Sequence, residues 1–244
     1  MTFRSHRGGN LRPAALFSGL LAGVAALLTP AADAETPAAV VAVLDNAPRA
    51  AEHRCSYTRI RNDEDQRRER YRAGHDPPWQ LLAMDGREPS EEELRRYAQG
   101  ADDRDRRHPL AFDLRAMVSP DGWRLVEETP SEAIYEFRLR PNEDLDEGLV
   151  DKVRGTMVVD TVRDQPISIS IENTEPAYVA PLVRIASYHQ RLSFRWSDAV
   201  GASVLTEAVT RWHGRALGFR RINKYKHVIY EGYQCRAEVA DTDS

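Results

Sequence analysis

The chain has 244 residues, of which 41% are hydrophobic, and its 34 Lys and Arg against 38 Asp and Glu leave a formal net charge of −4. That balance gives no reason to expect nucleic acid as a partner. Past the first 34 residues no apolar run is long enough to span a bilayer, and the remaining length, 35 to 244, fits one domain with a substantial core.

The first 34 residues read as a leader. Arg4, Arg7 and Arg12 make a basic start, "AALFSGLLAGVAALL" is an apolar run shorter than a comfortable span, and Ala32-Asp33-Ala34 supplies the small residues of a cleavage site. A signal peptide cleaved after Ala34 is expected, with export to the periplasm; an uncleaved membrane anchor is the alternative reading. No Cys follows the run until Cys55, so the site for a lipid on a cleaved cysteine is missing. Cys55 and Cys235 are the two cysteines of the chain. Export permits oxidation, and neither a CxxC spacing nor clustered His argues for a metal or catalytic role, so a disulfide joining the first strand of the fold to the last is expected.

Residues 37–52 look helical, with an interruption at Pro48. "CSYTRI" and "RRERYR" read as short strands around the polar turn Asn62 to Asp65, and Trp79–Met84 as a third strand. Asp85-Gly86 is a turn dipeptide, because Gly tolerates positive φ and Asp can bond its own backbone. Ser90 stands three residues before Glu93, the spacing of a capping box, and opens a charged helix over 90–98. The stretch "GADDRDRRHP" that follows is a solvated linker of mixed sign.

From Trp123 the pattern turns to strands. "AIYEFRLR" puts Ala133, Tyr135, Phe137 and Leu139 on one face, against Glu136, Arg138 and Arg140 on the other. "DLDEGLVDKVRG" reads as a short helix ending near Gly155. "GTMVVDTV" and "QPISISIEN" form a hairpin in which Ile167, Ile169 and Ile171 share a face. "LVRIASYHQRLSFRW" keeps its alternation to Leu192, Phe194 and Trp196; a strand of about 50 Å at ~3.3 Å per residue calls for a bend or a bulge. "VLTEAVTRWHGRALGFRRI" and "YKHVIYEGYQC" complete the run. Long antiparallel strands in sequence order, with helices gathered near the start, predict an α+β fold dominated by β: a strongly curved antiparallel sheet, an open half-barrel, with helices covering its concave side.

Catalytic signatures are missing from this pattern. The seven His are scattered without HExxH or HxH spacing, no GxSxG elbow and no glycine-rich phosphate loop occurs, and Glu127–Glu128 or Asp144 and Asp146 are surface carboxylates. No metal, cofactor or catalytic residue is assigned. What remains is apolar surface: Tyr135, Phe137, Leu139, Ile167, Ile169, Ile171, Leu192, Phe194 and Trp196 are candidates to line an apolar cavity, with a close-packed core as the plain alternative.

"SYTRIRND", "WQLLAMDGREPSEEELRRY", "GWRLVEET", "GTMVVD", "ISIEN" and "VRIASYHQRLSF", following an export signal and a leading helix, resemble exported bacterial proteins with the fold of the periplasmic lipoprotein carriers LolA and LolB and the sensor RseB. The resemblance covers about 50 to 235 and lies in order and texture. It implies an open curved sheet closed by helices, with an interior that receives acyl chains and a lid that includes the helix after Asp85-Gly86. The expected function is a non-catalytic binder or carrier of lipid or acylated protein. The alternative is an envelope interaction or sensor module of the RseB kind, with another envelope protein as partner; a hydrolase ranks third.

Overall fold

The computed structural model describes residues 36–52, 54–63, 65–100, 118–119, 122–140, 150–180 and 182–236, all of which fall in one unit, Asp33–Ser244. The expected leader, most of the mixed-charge linker, and Asp144 and Asp146 lie outside the described residues. Among the described residues are two helices, neither long and apolar enough to cross a membrane, and eleven strands of one antiparallel, unclosed sheet. The architecture is mainly β.

The first helix, α1 (Ala38–Glu52), runs through Pro48 without the expected interruption. Three short strands follow, β1 (Arg54–Asn62), β2 (Gln66–Tyr71) and β3 (Trp79–Met84). β3 ends in the Asp85-Gly86 turn, both residues at positive φ, with Met84 and Arg87 exchanging backbone hydrogen bonds at 2.9 and 3.0 Å. The second helix, α2 (Glu91–Gln99), starts with the expected capping box: the Glu93 amide donates to Ser90 Oγ at 3.3 Å, and the Ser90 amide donates to Glu93 Oε2 at 2.8 Å.

The remaining strands are β4 (Arg124–Glu128), β5 (Glu132–Phe137), β6 (Val153–Asp160), β7 (Gln165–Asn173), β8 (Ala177–Ala180), β9 (Val183–Ser197), β10 (Ala202–Ala216) and β11 (Arg220–Arg236). The helical reading of "DLDEGLVDKVRG" fails at its end, because β6 already starts at Val153. Gly155 belongs to that strand: it faces Phe137 across the ladder, and a Cβ there would come within 2.1 Å of the ring. The β10–β11 turn falls at residues 217–219, inside what the sequence read as one continuous run.

The sheet order is β3-β2-β1-β11-β10-β9-β7-β6-β5-β4, with β8 pairing β9 off this path. The last strand therefore sits beside the first. Cys55 faces Cys235 in that register and the two form the expected disulfide, across a sequence separation of 180. The long strand β9 carries a bulge, as its length led one to expect: Ala186 is the extra residue where His213 faces Ser187 and Gly214 faces Ile185, while the other shift of this ladder leaves Thr206 of β10 extra.

Candidate functional site

The apolar wall is built by cross-strand register. Tyr135, Met157, Ile169, Leu192, Ala208 and Val228 stand opposite one another in turn across β5, β6, β7, β9, β10 and β11. One step along the strands the row reads Phe137, Gly155, Ile171, Gln190, Thr210 and Lys226, so it becomes polar once it crosses from β7 to β9. The wall is thus deepest under β5–β7.

Of the nine candidates for an apolar interior, Tyr135, Phe137, Leu139, Ile169, Ile171 and Leu192 are buried together in this cluster, and Phe194 is half-buried against it. Ile167 and Trp196 lie apart from it. Ile167 is the extra residue of a bulge, since Val158 faces Ser168 while Val159 faces Pro166, and that shift breaks the alternation read for β7. Trp196 lies past Ser193, where the pairing of β9 with β7 stops; its indole Nε1 donates to Asp198 Oδ1 at 2.8 Å. At the polar margin of the wall, the Tyr188 hydroxyl donates to Gln190 Oε1 at 2.7 Å, and burial pushes that phenol up to about 12.

The described cover of the wall is α1 with Val118 and Trp123. Val40 and Val43, three residues apart on one helix face, are fully buried, and Ala39 and Leu44 are partly buried against the same cluster. Two fully buried valines contribute about 3 to 6 kcal/mol of apolar burial. These four side chains meet the wall through apolar contact alone, since none of them carries a hydrogen-bonding group.

A second cluster, under β1–β3, has a different chemistry and was not foreseen. Tyr57, Trp79 and Leu81 are buried with Tyr97 of α2, and Tyr71, Tyr230 and Tyr233 pack around them. Tyr57 stacks on Tyr71 at a centroid distance of 5.3 Å and lies 5.4 Å from Tyr233. Burial pushes the Tyr57, Tyr230 and Tyr233 phenols above their ordinary value.

Within this cluster Arg59 and Glu69 face each other across β1 and β2, and Arg59 Nε donates to Glu69 Oε2 at 2.7 Å, with 7% and 0% of the two residues exposed. The guanidinium lies 4.1 Å from the centroid of the Trp79 ring. Burial alone would lower the Arg59 pKa; the charge and hydrogen bond of Glu69 outweigh it and raise it. Arg59 Nη2, Glu69 Oε1 and Trp79 Nε1 are buried without a hydrogen-bond partner among the described residues. The signal was present in "RRERYR", where Glu69 alternates with arginines, but only the β1–β2 register shows which arginine it meets.

Elsewhere the described surface holds two open grooves with charged side chains in their lining. One of ≈ 450 Å³ includes Arg61, Arg67, Lys224 and Lys226 among its lining residues, with Asp63 and Asp65; one of ≈ 560 Å³ includes Arg184, His213, Arg215 and Arg221. His213 Nδ1 is 3.1 Å from Asn223 Oδ1, and His189 Nδ1 is 3.7 Å from Glu172 Oε2. Among the described residues no group of three or more His, Cys, Asp or Glu is placed to hold a metal ion. Compared with known proteins, the chain matches no family model, no curated protein and no solved structure.

Proposed function

We propose that the protein is an exported, non-catalytic binder that takes a lipid or the acyl chain of a modified protein between α1 and the apolar wall, in the manner of the lipoprotein carriers LolA and LolB that its sequence resembles. In this reading the sheet curves round the helices, α1 and α2 lie on its concave side, and the wall residues Tyr135, Phe137, Ile169, Ile171 and Leu192 meet the hydrocarbon. The observation that carries it is the way α1 is held. Among its described side chains, two buried valines and two partly buried neighbours rest on the apolar wall.

The magnitudes favour exchange. Lifting Val40 and Val43 costs about 3 to 6 kcal/mol, whereas an acyl chain leaves water at about 0.8 kcal/mol per methylene, so roughly four to eight methylenes match these two valines and a long chain has surplus to set against the rest of the helix. Hydrocarbon burial is non-directional, so the wall has no preference between valine side chains and an alkyl chain of equal area. The Cys55–Cys235 disulfide is compatible with an oxidising, exported compartment.

Native mass spectrometry of protein from an exporting host tests this. It should resolve lipid-sized adducts that exchange for added long-chain fatty acid. Protein that carries no adduct and ignores a fluorescent fatty acid contradicts the reading.

The second reading, an envelope interaction module, draws on β4. Among the described residues this strand ends the sheet, and Leu125 and Val126 on it are exposed. An open edge with apolar residues suits addition of a partner strand. Stoichiometric capture of one envelope protein without lipid, lost on substituting Val126→Lys, favours that alternative.

A further inference from the structure

Where β8 passes into β9 and β10 into β11, two turns lie side by side. The Leu217 amide donates to the Leu182 carbonyl at 2.7 Å, and Ala216 faces Val183 across the ladder. Exposed turns are ordinarily made of Gly, Asn, Asp or Ser. These hold Leu182, Leu217 and Phe219, with Tyr178 and Val179 of β8 beside them, all exposed; Phe219 is 79% accessible and Tyr178 67%. Leu182 and Leu217 also sit at positive φ, 67° and 53°, a conformation that disfavours bulky side chains and suits Gly or Asn. Fold stability and solubility would both choose other residues at these positions.

Immediately behind the apolar tip lies a row of positive charge. Arg184 faces Arg215, and Arg215 faces Arg221, on three adjacent strands, and Arg220 follows Phe219 in the chain. Like charges placed directly opposite are destabilising unless a counter-charge joins them. None of these four arginines has a carboxylate partner among the described residues. From 208 to 230 the chain has Arg211, Arg215, Arg220, Arg221, Lys224 and Lys226 and neither Asp nor Glu, in a protein whose net charge is −4. Further back, Trp212 packs edge-on against Tyr188 at 5.6 Å with part of its ring exposed.

We propose that this tip docks on an anionic lipid bilayer, with Leu182, Leu217 and Phe219 in the acyl boundary and Arg184, Arg215 and Arg221 among the lipid phosphates. The spacing fits. The row lies two residues behind the turns, roughly 7 Å at about 3.3 Å per residue, and interfacial segments bury their apolar side about 5 to 10 Å deep. A soluble polyanion would satisfy the arginines and leave the leucines and Phe219 in water. An apolar protein surface would do the reverse. An anionic bilayer presents phosphate over hydrocarbon in the order the tip requires, and Trp and Tyr behind such a tip sit where amphipathic rings settle at a membrane interface. This surface is separate from the α1 site, so docking and uptake of an acyl chain stand or fall independently.

Co-sedimentation of the full chain with phosphatidylcholine vesicles, with and without phosphatidylglycerol, tests the proposal. Binding should require phosphatidylglycerol and weaken with added salt. Arg215→Gln should weaken it about fivefold. The double variant Leu217→Asn/Phe219→Ser should weaken it roughly tenfold or more, without lowering the melting temperature and without changing uptake of a fluorescent fatty acid; the leader contributes equally to every variant. Equal binding to vesicles with and without phosphatidylglycerol, or no binding at low salt, overturns the proposal. So does binding that responds to Arg215→Gln and ignores the double variant, which would mark the row as a site for a soluble polyanion.

Discussion

The two clusters buried by this sheet are held by opposite kinds of force. Under β5–β7 and α1 the contacts are aliphatic and aromatic carbon, so any hydrocarbon of suitable volume can stand in for another. Under β1–β3 and α2 an ion pair sits among tyrosines and a tryptophan, where geometry is directional and a missing partner is costly. The contrast separates a cluster whose contacts have no directional requirement from one whose geometry is fixed. The proposed binder would use the first for exchange and the second for its frame.

The contrast breaks first at the ion pair. Glu69→Gln leaves the buried Arg59 charge without its counter-ion and should cost about 3 to 5 kcal/mol in denaturant unfolding. Replacing both residues, Arg59→Met with Glu69→Leu, should recover most of that loss, because the uncompensated charge goes with the pair. Next is the crosslink at the edge of this region. Cys55→Ser with Cys235→Ser should cost about 2 to 4 kcal/mol and lower the melting temperature by several degrees. Oxidised and reduced wild-type protein melting together would contradict it.

The wall should be far more tolerant. Ile169→Val removes one methylene from its centre and should cost only about 0.5 to 1.5 kcal/mol, with fatty-acid uptake retained. The smallest effect concerns α2. The Glu93 carboxyl is held down to about 2 from an ordinary 4.5, first by hydrogen bonds from Arg87 and then by the Ser90 amide. A carboxyl depressed in the folded chain stabilises it above the ordinary value and loses that contribution as pH falls toward the depressed one. Amide protection in α2 should therefore fall between pH 4.5 and pH 2, and Glu93→Gln should remove that pH dependence.

Much of this was legible in the sequence, because it depends on local rules. The period of two in "AIYEFRLR" placed Ala133, Tyr135, Phe137 and Leu139 correctly on one buried face, Ser90 and Glu93 announced their capping box, and the length of β9 announced its bulge at Ala186. What escaped depends on register between distant strands. Ile167 left its face because a single extra residue in β7 shifted the pairing with β6. Arg59 and Glu69 looked like two of many surface charges until β1 and β2 were aligned. The turn at 217–219 was hidden for a different reason: Leu217 and Phe219 are apolar where turns are ordinarily polar. The departure from turn chemistry that concealed it is also what the docking tip is argued from.

Hydrogen exchange of α1, measured with and without a saturating long-chain fatty acid, tests the central claim most directly. The account predicts that the amides of α1 lose protection when the fatty acid binds, while those of β6, β7 and β9 keep theirs, because the chain takes the place of Val40 and Val43 on an intact sheet. Bound fatty acid with α1 as protected as before, or a wall that opens while α1 stays closed, would contradict it.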